Sequence, residues 1–167
     1  MFDEAIRQPA GKLIHTLIDA KLTITTAESC TGGLICAALT EIPGSSEAVW
    51  GGFITYANEA KVTAIGVPES LIDTHGAVSA PVARAMAEGA RRTAMTDIAI
   101  AVTGIAGPGG GSESKPVGLV HIACATSAGT THIERRFGQI GRWAIREAAV
   151  KAALTLALEC VVPVGAD

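Results

Sequence analysis

The sequence is poor in aromatic residues, with one Tyr, three Phe and two Trp among 167 positions, so its core has to be built from Ala, Val, Ile and Leu. Cysteine is also sparse. Cys30, Cys36, Cys124 and Cys160 show no CxxC pairing, which argues against a zinc site or a disulfide framework and leaves them as small hydrophobes. There is no excess of positive charge: 13 Lys and Arg stand against 16 Asp and Glu, and no basic stripe alternates with aromatics. The electrostatic footprint of a nucleic-acid binder is therefore missing. Nor is there a long apolar run, since the stretch around Leu154 is interrupted by Lys151 and Glu159. The N-terminus opens with acidic residues and an amphipathic pattern, not a basic start and an apolar run, so a soluble, cytoplasmic protein with no membrane contact is expected. No second His or acidic cluster stands at ligand spacing from His75; neither a metal nor a cofactor is expected, and His75 is given no catalytic role.

What is present is enough for one domain spanning 1–167, with 49% of residues apolar. Ile6, Leu13, Ile14, Leu17 and Ile18 recur at the helical period over 5–20, and a β-rich run follows at 22–26. A helix over 31–40 ends at the breakers Pro43 and Gly44, and a strand follows over 49–56. A short helix over 58–65, a turn opened by Pro68 and a helix over 80–92 capped by Ser79 come next. Strands are read over 98–102, 117–126 and 132–137, the last two as a hairpin through 127–130. A final helix over 142–160 presents Ile145, Ala149, Ala152, Leu156 and Ala157 on one face. Strands separated by helices predict an α/β fold, a three-layer α/β/α sandwich on a mixed sheet.

Three segments carry residues able to do chemistry. TAESCTGG at 26–33 passes from a strand into a helix, with Ser29 at the apex and Gly32 and Gly33 allowing close approach of a ligand. Such a turn offers N–H groups to an anion or developing oxyanion, while the plainer reading makes Ser29 or Thr31 a helix N-cap. GGFITYANEAK at 51–61 sets Tyr56 at a strand end and Lys61 one turn into the next helix, so both can face a crevice at the sheet's carboxyl edge. A lysine at its ordinary pKa is neutral in only about one molecule in 2,500 at pH 7, so a basic Lys61 needs burial or a neighbouring cation. Tyr56 could then relay a proton between Lys61 and a serine. The glycine-rich run 104–118, entered through Thr103 and Gly104, can wrap a phosphate or ribose, but lacks the order of a P-loop or a dinucleotide fingerprint. Arg135, Arg136, Arg142 and Arg146 gather positive charge that suits either one small anion or a solvated face.

Taken together and in order, TAESCTGG, PGSS, GGFITYANEAK, HGAVS and GIAGPGGGSESKPVG resemble the CinA C-terminal domain family over about residues 13–158. The resemblance implies a three-layer domain with a mixed sheet, commonly a homodimer, that converts nicotinamide mononucleotide to nicotinic acid mononucleotide and ammonia. It places Ser29, Ser46, Tyr56, Lys61 and Thr103 in the active crevice with an arginine, Arg142 or Arg146, for the phosphate. Thr31, Gly32, Gly33 and Gly104 join the substrate-binding set. Gly141 replaces the acidic residue usual before that arginine and leaves the choice between the two open. Ser29 is the first candidate nucleophile and Ser46 the second, with Lys61 as base and Tyr56 assisting. A nucleotide-binding module without turnover, or an amidase for another small carboxamide, are the alternatives.

Overall fold

The structure, a computed structural model, describes residues 2–161. Helix α1 (Glu4–Ala20) starts where the Asp3 carboxylate accepts the N–H of Ile6 at 3.2 Å and stops where Lys21 turns left-handed at φ 54°. Its Ile6, Ala10, Leu13, Ile14 and Leu17 form one buried face. Strand β1 (Ile24–Glu28) is buried throughout, and α2 (Leu34–Thr40) follows a five-residue turn. After a single 3₁₀ turn at Ser45–Glu47 come β2 (Val49–Ile54), α3 (Asn58–Ile65), α4 (Glu69–His75) and α5 (Ala80–Ala94). The chain closes with β3 (Ile98–Gly104), β4 (Leu119–Thr126), β5 (Gly129–Arg136) and α6 (Arg142–Val161).

The sheet order is β2-β1-β3-β4-β5, with β1 parallel to both neighbours and β4 antiparallel to β3 and β5. The mixed α/β sandwich expected from the sequence is the architecture observed. On one face α1, α2 and α6 bury Leu13, Leu17, Ile35, Leu39, Ile145 and Leu154 against Ile24, Ile100 and Ile122. The other face is built largely from alanine: Ala83, Ala87 and Ala90 of α5 meet Ala27, Ala99, Ala101 and Ala123 of the sheet. Small side chains on both surfaces let α5 lie close to the strands, which is how a core with few aromatics reaches native density. Gly89 continues this close approach toward α3, because a Cβ there would collide with the carbonyl oxygen of Ile65.

Several boundaries differ from the sequence reading. β1 runs two residues later than 22–26, and α2 begins at Leu34, not Thr31, because Gly32 and Gly33 take left-handed φ of 60° and 97°. The turn opened by Pro68 grows into α4. The hairpin turn shrinks to Ser127 and Ala128, so β5 begins at Gly129. β4 opens at Leu119, two residues after the expected start.

Candidate active site

Because β1, β2 and β3 are parallel, their carboxyl ends share one edge of the sheet, and β5 ends there too. The Ser29 turn, the entry to α3, the glycine-rich loop after Gly104 and the start of α6 therefore meet at that edge, where open α/β sheets place ligands.

The Ser29 turn is held from beneath by Glu28, which is fully buried. Its carboxylate accepts the N–H groups of Gly33 (3.0 Å), Ile35 (3.0 Å) and Cys36 (2.8 Å) and the Thr26 hydroxyl (3.1 Å). Glu28 thus does the capping work at the start of α2, where an anion also complements the helix dipole. Gly33, the residue before α2, makes no side-chain cap bond, so Ser29 and Thr31 are released from the N-cap role weighed for them. Sequence reasoning gave Glu28 no part in the site, because the carboxylate reaches forward over five residues through two left-handed glycines.

Arg146 holds the same turn from the side of α6. Its Nε donates to the Cys30 carbonyl (3.2 Å) and its Nη2 to that of Thr31 (2.9 Å), while the guanidinium lies 5.3 Å from the centre of the Trp143 ring. In a trans peptide the N–H points opposite the carbonyl, so the Thr31 N–H is directed away from Arg146. It has no protein acceptor among the described residues. The neighbouring Cys30 is no competitor for Ser29: burial pushes its thiol up to about 12, and a protonated thiol is a poor nucleophile at neutral pH.

Lys61 is 1% exposed and points its amine at the serine. Nζ lies 2.8 Å from the Thr55 carbonyl oxygen, 3.3 Å from that of Tyr56 and 3.3 Å from Ser29 Oγ. It has no carboxylate partner among the described residues; the two ion pairs found there join Arg7 to Glu41 and Arg136 to Glu134. Burial accordingly pushes Lys61 below the ordinary lysine range. Nζ donates to the two carbonyls and to Ser29 Oγ, three acceptors for the three hydrogens of an ammonium; loss of one proton would leave the carbonyl bonds in place and turn a lone pair toward the Ser29 O–H.

The remaining expected residues divide. Arg142, exposed at the start of α6, donates Nη1 to the Gly107 carbonyl (2.7 Å) and Nη2 to the Tyr56 hydroxyl (3.2 Å), which joins the glycine-rich loop to the entry of α3. The phenol of Tyr56 therefore faces Arg142 in place of the relay position between Lys61 and Ser29, and only the backbone of Tyr56 touches the lysine. Buried Thr103 donates to the Ala77 carbonyl (2.9 Å) and ties the HGAVS turn to the sheet edge, with Gly104 beside it at the end of β3. His75 enters only through its carbonyl, an acceptor for Lys115 Nζ. Ser46 does not join the cluster. It is exposed in the 3₁₀ turn before β2, whose first residue pairs with Ile24, so it sits at the amino edge of the sheet. Five residues of β1 separate that edge from Ser29, roughly 16 Å of strand.

A cavity of 620 Å³ lies at that amino edge among Glu88, Arg91, Asp97 and Thr126, away from Ser29 and Lys61. No cluster of three or more His, Cys, Asp or Glu suited to a metal ion occurs among the described residues. No helix among them is long and apolar enough to cross a membrane.

Fold and site define an α/β/α domain carrying a buried Ser–Lys pair at the carboxyl edge of a mixed sheet. The chain belongs to the CinA C-terminal domain family, whose sequence model matches residues 6–161. It is 54% identical over 144 residues to a putative competence-damage inducible protein of Caldicellulosiruptor bescii, covering 86% of this chain and 35% of that protein. A CinA-like protein of a Synechococcus species is 53% identical over 148 residues, covering 88% and 36%. The chain thus spans about a third of the length of these curated relatives. Among solved structures, the competence/damage inducible protein CihA of Agrobacterium tumefaciens superposes with TM-score 0.94 at 48% identity, over 98% of this chain and 99% of that one. A CinA superfamily protein of Escherichia coli gives 0.89 at 32% identity, over 96% and 93%.

Proposed function

We propose that this domain is an amidohydrolase that deamidates nicotinamide mononucleotide to nicotinic acid mononucleotide and ammonia, with Ser29 as nucleophile and Lys61 as its base. The observation that carries the reading is the contact of a buried, carbonyl-bound Lys61 amine with Ser29 Oγ at 3.3 Å. The substrate follows from the family resemblance. Lys61 Nζ takes the Ser29 proton as Oγ bonds to the carboxamide carbon, then passes that proton to the departing NH₂, which leaves as ammonia when the C–N bond breaks. Water then attacks the Ser29 ester, Lys61 takes its proton, and the proton returns to Oγ as the C–O bond breaks and the acid departs.

Other groups serve charge and position. The Thr31 N–H, opposite the Cys30 carbonyl that Arg146 holds and without a protein acceptor among the described residues, is the donor assigned to the oxyanion; one such donor is worth about 2.7–4 kcal/mol in the transition state. Thr31, Gly32 and Gly33 are assigned to the approach of the pyridine at the turn, and Thr103 and Gly104, at the end of the neighbouring strand β3, to the same substrate-binding set. Arg142 is preferred over Arg146 for the phosphate, because Arg142 is exposed and reaches the glycine-rich loop, while Arg146 is half-buried against the Ser29 turn; each makes two hydrogen bonds to the protein, so exposure decides. Tyr56 holds Arg142 in place. The homodimer implied by the family is supported by the β2 edge, where Trp50 is 56% and Ile54 60% exposed.

The test is incubation of the purified protein with nicotinamide mononucleotide, with ammonia quantified and the product identified by mass. One ammonia per nicotinic acid mononucleotide supports the reading. Saturable binding without conversion replaces it with a nucleotide-binding module, and turnover of other carboxamides alone replaces the substrate.

A further inference from the structure

Two buried side-chain polar atoms among the described residues make no hydrogen bond, the hydroxyls of Thr31, two residues after Ser29, and of Thr55, whose carbonyl holds Lys61 Nζ. Leaving a buried hydroxyl unpaired costs about 1–3 kcal/mol, so one on the residue that holds the Lys61 amine marks where a ligand atom completes the set. Thr31 lies in the turn already assigned to substrate. Thr55 has no assigned side-chain role; only its carbonyl, bonded to Lys61 at 2.8 Å, enters the site above.

The strand register says which way Thr55 faces. Ala27 pairs with Phe53, and the Thr55 N–H continues that ladder to the Glu28 carbonyl at 2.8 Å. Alternate residues share a face, so Thr55 follows Phe53 and Ser29 follows Ala27 onto the side where α3 and α5 pack. Thr55 and Ser29 are therefore neighbours across β1 and β2 on the face from which Lys61 reaches in. The Thr55 hydroxyl is four covalent bonds from the carbonyl oxygen that holds Lys61 Nζ, so a small polar group beside the amine is within its reach.

We propose that the Thr55 hydroxyl is a catalytic group of this site, holding the atom that is exchanged at the acyl carbon: first the departing amide nitrogen, then the water that replaces it. This rests on the amidohydrolase reading. In both steps the exchanged atom must lie against Lys61 Nζ, which gives a proton to the nitrogen and takes one from the water. Thr55 accepts a hydrogen from the carboxamide NH₂ in the first step and from the incoming water in the second. It gains and loses no proton itself, so the overall balance of amide plus water to acid plus ammonia is unchanged.

The test compares Thr55→Val, which keeps the shape and removes the hydroxyl, with Thr55→Ser, which keeps the hydroxyl and removes the methyl. With nicotinamide mononucleotide as substrate, T55V is expected to lose about 10- to 100-fold in kcat, and T55S to recover most of that loss. The melting temperature of T55V is expected to equal or exceed that of wild type, by up to about 12 °C, because the unpaired hydroxyl is gone. A structural role would give the reverse, with T55V less stable and no better than T55S. Wild-type turnover by T55V, or equal loss in both variants, overturns the assignment of Thr55 alone. A folded wild type that releases no ammonia overturns the amidohydrolase reading and this proposal with it.

Discussion

At the scale of single residues, the protonation of Lys61 decides what the Ser29–Lys61 pair can do. Its pKa is depressed by burial, so between the folded value and the ordinary lysine value the unfolded chain binds more protons than the folded one. Stability therefore rises with pH across that window, and the penalty of burying the amine is fully present below it. Lys61→Met is expected to melt above wild type at neutral pH, with the difference shrinking as pH climbs toward the ordinary lysine range. Thermal melts of the two proteins across a pH series check this, and a constant difference would contradict a depressed Lys61. In the proposed reaction the same titration governs activity, since only the neutral amine can take the Ser29 proton. The pair itself was legible in the sequence as a serine at a strand-to-helix turn and a lysine one turn into the next helix. The partners were not. That backbone carbonyls bind Lys61, and that Tyr56 turns its phenol to Arg142, depends on how the chain leaves β2, which side-chain spacing does not encode.

At the scale of elements, Glu28 joins β1 to α2. One buried carboxylate accepts three amides from the start of α2, so the turn carrying Ser29 is braced between strand and helix. Glu28→Gln replaces one acceptor oxygen with a donor that faces those amides. It is expected to destabilise the domain by about 1–3 kcal/mol, or roughly 2–12 °C in melting temperature, and to lower kcat as the turn loosens. Unchanged melting and turnover would remove Glu28 from the account. Helices α1, α5 and α6 were legible from their apolar period; Ser79 stands at the start of α5 as expected, but its hydroxyl donates to the Gly76 carbonyl and caps no helix amide. α4 was not, because Glu69–His75 buries only Ile72 and has no period to read. The late start of α2 was hidden for the reason Glu28 was: two left-handed glycines postpone the helix, and the cap comes from the strand before it.

At the scale of the whole molecule, the parallel trio β2-β1-β3 gathers the candidate site segments at one edge, and this arrangement also separates Ser29 from Ser46. Fold class could be read from the order of strands and helices; strand order could not, so the sequence left both serines in one crevice. The edge strand β2 exposes Trp50 and Ile54, and a homodimer formed there is expected to fall to a monomer in Trp50→Lys. Sedimentation of wild type and variant at matched concentration decides it, and an unchanged sedimentation coefficient, whether both are dimers or both monomers, would contradict an interface at β2.

The most direct test of the Ser29–Lys61 assignment is ammonia release from nicotinamide mononucleotide by wild type, Ser29→Ala, Lys61→Met and Ser46→Ala under the same conditions. Loss of about a thousandfold or more in both S29A and K61M, with most of the rate kept in S46A, is the predicted result. A wild-type rate in S29A together with an inactive S46A would contradict it and move the nucleophile to the other edge of the sheet.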